Sequence, residues 1–154
     1  MKNEWIRQIR RNTGILNLLL KGMTADQLAT PLGESNTVGW IVGHLTRYRG
    51  DLLRAIGGTV ELEDWEAGHE RGAEKQAVGI DLDLVLPAFE NRGKLLMDRI
   101  HGLTDEFLKQ KSERVLPDGG DDMGGFVSFL IWHETFHLGQ IDLIQAGLGI
   151  GGIR

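Results

Sequence analysis

The chain has 154 residues, which fits a single domain over residues 1–154 and gives enough length to bury a sizeable core. Its formal net charge of -5 and lack of a dense Lys/Arg tract argue against nucleic acid as a partner. It has no cysteine, which excludes disulfides, thiolate ligands and cysteine nucleophiles, so any metal site must use His, Asp, Glu and water.

The opening MKNEWIRQIRR lacks the apolar run of a signal peptide, and no stretch reaches about 18 apolar residues. A cytoplasmic protein without a membrane partner is therefore expected. The first helix is predicted over about residues 3–21, where Ile6, Ile9, Leu16, Leu19 and Leu20 recur at helical spacing and Gly22 stops the run. Arg7, Arg10 and Arg11 form its solvated face. Thr24 caps a short turn over residues 25–28.

A second helix begins near Ser35 or Asn36 and ends at Gly57-Gly58. Val38, Ile41, Leu45, Leu52 and Ile56 make its inward stripe. His44 lies on the margin of that stripe, with Tyr48 and Asp51 further along the same edge. Residues 59–79 are polar and irregular, and carry Trp65 and His69. A third helix starts near Asp81 or Asp83; Pro87, tolerated best in a first turn, favours the later start. Residues 104–109 form a further turn, and residues 117–122 break the chain. The fourth helix covers about residues 123–145. No convincing alternation marks a strand. The pattern predicts an all-α four-helix bundle with crossover connections.

The chemistry concentrates in His133-Glu134-Thr135-Phe136-His137. Histidines four apart share one face of a helix and can hold one metal ion. On a helical wheel they fall among Phe126, Phe129, Leu130, Ile141 and Ile144, so they point into the core. Imidazoles buried there need partners, and a shared metal would satisfy both. The bland alternative is two core histidines bonded to backbone or to each other. HETFH also matches the H-E-x-x-H zinc-peptidase signature, in which the Glu is the general base. The context fails, because no His or Glu follows His137 and Asp142 points to the far side of the helix. A third ligand must come from upstream, with His44 the best placed and His69 and His101 weaker. Glu134 is read either as a catalytic base or as a structural charge. Gln140 is either a partner that orients a ligand or a packing amide. Tyr48 is a candidate for lining the cleft.

The run Phe126-Val127-Ser128-Phe129-Leu130-Ile131-Trp132 is apolar all round its helix. Val127, Ile131 and Trp132 project away from the histidine face, which predicts a homodimer.

The chain resembles the DinB/YfiT-like superfamily of metal-dependent four-helix-bundle proteins. The resemblance rests on Asn36-Thr37-Val38-Gly39-Trp40-Ile41-Val42-Gly43-His44-Leu45 in the second helix. It rests also on His133-x-x-x-His137-x-Gly139-Gln140-Ile141 in the fourth, with Leu148-Gly149 after it. It implies one divalent ion on His44, His133 and His137, with open positions for water or ligand; three imidazoles suit zinc or nickel. Many members carry Arg after the last His; here Leu138 stands there, which bears on the rim alone. The better-understood branches are isomerases and S-transferases that use low-molecular-weight thiols. The resemblance therefore implies activation of a small thiol or water for transfer or hydrolysis on a small-molecule substrate. The alternatives are a bundle that binds metal or ligand without turnover, and a purely structural histidine cluster.

Overall fold

The computed structural model describes residues 1–70 and 80–151. Its elements are α1 (Lys2–Leu20), α2 (Ala25–Ala29), α3 (Val38–Ala55), a 3₁₀ turn η1 (Asp64–His69), α4 (Leu82–His101), α5 (Asp105–Leu108) and α6 (Met123–Gly147). Four long helices and no named strand among the described residues confirm the expected bundle.

The termini follow local chemistry. Thr24 and Gln27 form a reciprocal capping box on α2. The cap of α3 is Thr37, not Ser35 or Asn36, and its hydroxyl accepts from Trp40 N. Ser35 is occupied elsewhere, taking the Leu32 amide. α4 starts at the earlier of the two expected points, capped by Asp81. Pro87 lies inside it but on the exposed side, so the Asp83 carbonyl that loses its amide partner stays open to water.

Contacts between helices set an unusual order. α1 packs on α4 and α6, and α3 packs on the same two, so α1 and α3 are diagonal. Asn12 meets Ile131 and Thr135, and Gln145 meets Leu19, so α1 and α6 run parallel. Thr46 meets Arg92 and Ile56 meets Arg99, so α3 and α4 also run parallel. Parallel neighbours cannot be joined by a tight turn. The chain between α3 and α4 must return along the bundle, and η1 lies on that return, packed against α3.

The core divides into two apolar clusters. One holds Trp5, Ile9, Leu52, Leu96, Phe126 and Ile131; the other holds Leu16, Ile41, Leu45, Phe89, Leu138 and Ile141. Between them lies a polar layer. Arg49, 2% exposed, donates Nε to Glu134 Oε2 at 2.8 Å and Nη2 to Glu134 Oε1 at 2.6 Å. Its remaining donors reach Phe89 O on α4 and Thr13 Oγ1 on α1. One guanidinium thus links all four long helices, and Gly93 makes room for it: a Cβ there would stand 2.3 Å from Arg49 Nη1.

The face assigned to a partner subunit is smaller than the helical wheel implies. Val127 and Ile131 are buried within the chain, because α6 has α1 on one side and α3 on the other. Trp132 and Phe136 remain about half exposed and stack on each other. No helix among the described residues is long and apolar enough to cross a membrane.

Candidate metal centre

The histidine site sits at the level of the polar layer, on the seam between α3 and α6. One turn of α6 separates His133 from His137, and their Nε2 atoms stand 3.0 Å apart. That is close to the roughly 3.3 Å between two imidazole nitrogens on one tetrahedral ion. His44 comes from α3, with ring centroids 5.4 Å from His133 and 5.0 Å from His137. One ligating atom from each of the three lies within 4.8 Å of the others.

Hydrogen bonds fix which nitrogens face inward. His44 Nδ1 donates to the carbonyl oxygen of His69 at 2.8 Å, which leaves its Nε2 lone pair for the centre. His137 Nδ1 donates to Gln140 Oε1 at 2.6 Å, which does the same for its Nε2. An imidazole that ligates a metal through one nitrogen and donates the other to an oxygen is the usual arrangement at such sites. The donor set therefore fits a divalent ion.

Burial favours the neutral form of His44 and His137. His44 is 4% exposed, and loss of hydration pushes its pKa down to about 4, against the bond to His69, which favours the charged form. His137 is lowered in the same way by burial, with Gln140 opposing. Neutral imidazoles with free lone pairs are what a metal needs. Aromatic rings close the surroundings. Trp40 stacks on His44 at 4.7 Å, and Tyr48 stacks on His133 at 4.7 Å while tilting against His44. His133 is half-buried, which makes it the ligand nearest solvent.

Each expected site residue has a defined place. His44, His133 and His137 converge; Gln140 binds His137; Tyr48 lines the site. Glu134 is elsewhere: both carboxylate oxygens are taken by Arg49, and the group is 6% exposed. That geometry makes it the counter-ion of a buried arginine rather than a base with a free lone pair facing a reactant. His101 is exposed at the end of α4, outside the cluster. His69 joins the site through its backbone carbonyl, not its ring.

Sequence reasoning missed four contributors: Arg49, Arg92, Glu66 and the His69 carbonyl. Glu66 is fully buried. Burial alone would raise its pKa, but hydrogen bonds from Arg92 and from the Glu63 amide reverse this and hold it below the usual carboxylate value. Two signals were available. Arg49 stands in register with Leu45 and Leu52 on the inward stripe, and Gly43 and Gly93 interrupt helix interiors, where glycine costs about 1 kcal/mol without a packing reason.

The comparisons with known proteins agree with this fold. YfiT from Bacillus subtilis, described as a probable metal-dependent hydrolase with an unusual four-helix bundle topology, superposes with a TM-score of 0.72 at 21% identity. The match covers 97% of this chain and 89% of that one. A DinB-like protein from Bacillus cereus superposes with a TM-score of 0.66 at 16% identity, over 99% of this chain and 94% of that one. No curated protein is significantly similar in sequence. The sequence profile of the DinB superfamily matches residues 8–141, a span that takes in all three histidines, the whole of α3 and most of α6, and the chain accordingly belongs to the DinB superfamily.

Proposed function

We propose that this protein holds one divalent ion on His44, His133 and His137 and uses it to activate water or a small thiol against a small-molecule substrate, giving hydrolysis or transfer. The observation that carries this reading is the paired control of tautomers. Two of the three converging histidines have Nδ1 committed to an oxygen acceptor, so their Nε2 lone pairs are presented to a common point.

A divalent ion on three neutral imidazoles lowers the pKa of a bound water or thiol toward neutrality. The chain's own residues then have separate tasks. His69 O and Gln140 hold the ligand rings at fixed angles. Trp40 covers the His44 ring and Tyr48 covers one face of the His133 ring, so both keep water from those faces. Glu134 stays paired with Arg49 as its counter-ion. A separate cleft of about 500 Å³, lined by Asp51, Arg54, Phe107, Lys111, Arg114 and Phe126, lies further along α3 and α6. That volume suits a small ligand. The description of YfiT as a probable metal-dependent hydrolase supports the hydrolytic branch of this reading.

Elemental analysis of purified protein tests the metal, with about one divalent ion per chain expected. Cobalt substitution separates the branches. Adding a small thiol at millimolar concentration should give a sulfur-to-metal charge-transfer band if thiols are activated, and the band should vanish in His133→Ala. An unchanged spectrum across several thiols would leave water as the nucleophile.

A further inference from the structure

The 3₁₀ turn η1 is a polar segment of six residues, yet Glu66 and His69 within it are buried at 0% and 2% exposure. Runs of this length have little stability of their own. Its fixed position must come from tertiary ties, and the strongest of these is a single arginine on α4. Arg92 donates Nη1 to Glu66 Oε2 and Nη2 to Glu66 Oε1, both at 2.7 Å. Nη1 also reaches Thr46 O on α3 at 2.8 Å, and Nη2 reaches Glu61 O, just before η1, at 3.2 Å. One guanidinium therefore joins α4, η1 and α3, and its α3 contact falls two residues beyond His44.

At the far end of η1 stands His69. Its Nδ1 donates to Trp65 O at 2.9 Å, which folds the ring back onto its own turn. The ring lies against Gly43, where a Cβ would be 2.3 Å from His69 Cδ2. The backbone carbonyl of the same residue accepts the His44 proton. Weaker ties also hold this end: Trp40 Nε1 donates to Gly68 O at 3.2 Å, and Arg47 pairs with the exposed Glu70.

We infer that Arg92 and Glu66 are positioning residues of the histidine site: their buried ion pair pins η1 so that the His69 carbonyl sets the tautomer and ring angle of His44. The pair acts through η1 and touches none of the three ligands. Its consequence for metal binding rests on the reading given above; its consequence for the His44 tautomer does not.

The test is the double variant Arg92→Met/Glu66→Met, which removes both charges together and so leaves no unpaired ion in the core. Three quantities are read: thermal unfolding of the metal-free protein, zinc affinity by competition with a chelator, and the imidazole ¹⁵N shifts of His44 without metal. The expected result is a folded protein whose zinc affinity falls roughly 10–100-fold, the range typical when a ligand loses its outer partner. His44 should move from the Nδ1–H form to a mixture of tautomers. A folded variant with native zinc affinity and an unchanged His44 spectrum overturns the inference. Failure of the native protein to take up zinc would sink the metal reading, while the tautomer measurement would still decide the role of the pair. Should the double variant not fold, Gly43→Ala carries the test by pushing the His69 ring off α3. The same loss of zinc affinity and the same tautomer change are expected, and their absence overturns the inference.

Discussion

On α6, His133 and His137 are brought together by one turn of helix, and the amide that orients His137 comes from Gln140, three residues on. On α3, His44 stands alone. Its ring is oriented by the carbonyl of a residue 25 positions away, at the end of a short turn that an arginine on α4 holds in place. The α6 half exists wherever that segment is helical. The α3 half exists only when the bundle is assembled. On the proposed function, a site divided in this way would couple metal affinity to folding, because His44 reaches it only with the tertiary structure.

Removing ligands should break this contrast most severely. His133→Ala and His137→Ala are expected to abolish tight binding, since each leaves the helical pair with a single imidazole. His44→Ala leaves the pair intact, and its affinity for zinc should fall by more than the roughly 10–100-fold typical of an outer partner. Chelator competition on the three proteins measures the difference. Native affinity in His44→Ala would show that the α3 half takes no part.

The polar layer beneath the site makes the next largest effect, on stability rather than on binding. Arg49→Met leaves the Glu134 carboxylate buried without its counter-ion, and should cost about 3–5 kcal/mol in urea unfolding of the metal-free protein. Arg49→Met/Glu134→Met should recover most of that loss, because it leaves no unpaired charge in the core. No peptidase activity is expected in the native protein, despite the H-E-x-x-H spacing. Metal-dependent cleavage of casein, lost in Glu134→Gln, would restore Glu134 as a general base.

The same division explains what the sequence made legible. The α6 ligands follow from spacing on one helix, and the four long helices follow from apolar periodicity with glycine and proline stops. The choice of His44 as third ligand came from its register on the α3 stripe. What supports His44 was hidden, because η1 falls in a stretch whose apolar spacing shows no period, and η1 is tied down by Arg92 from another helix. Glu134 looked like a margin charge on its own helix. Its burial depends on Arg49, and neither residue announces the other across 85 positions. The outward face of α6 was overestimated for a related reason. A wheel drawn for one helix does not show that α1 packs beside α6 in parallel and covers Val127 and Ile131.

Acid should act mainly through the α3 half. The pKa of His44 is about 4 in the folded protein against an ordinary 6.5, and burial is the largest cause. Between those values the unfolded chain binds a proton that the folded chain does not. Stability is therefore complete above pH 6.5, declines as the pH falls, and levels off below 4. The interval corresponds to about 3 kcal/mol. His137 and His69 are lowered by burial as well and act with the same sign. Urea midpoints of the metal-free protein between pH 7.5 and 4 should show this slope, and His44→Gln should flatten it. A slope unchanged in that variant would place the effect on other groups.

The smallest expected effect sharpens the comparison from the α6 side. Gln140 Oε1 accepts the Nδ1 proton of His137 at 2.6 Å, and the bond spans a single helical turn. Gln140→Leu removes the acceptor while keeping the helix and much of the side-chain volume. The Gln140 amide is half-buried, so water can replace part of what is lost. His137 also keeps its place on α6 through the helix itself, unlike His44, whose orientation has no local source. Zinc affinity should accordingly fall about 10-fold, the low end for an outer partner and no more than in Arg92→Met/Glu66→Met. Unfolding of the metal-free protein should change little. A larger loss in Gln140→Leu than in the double variant would reverse the contrast, and would mean that the local half of the site depends more on its outer partner than the distant half does.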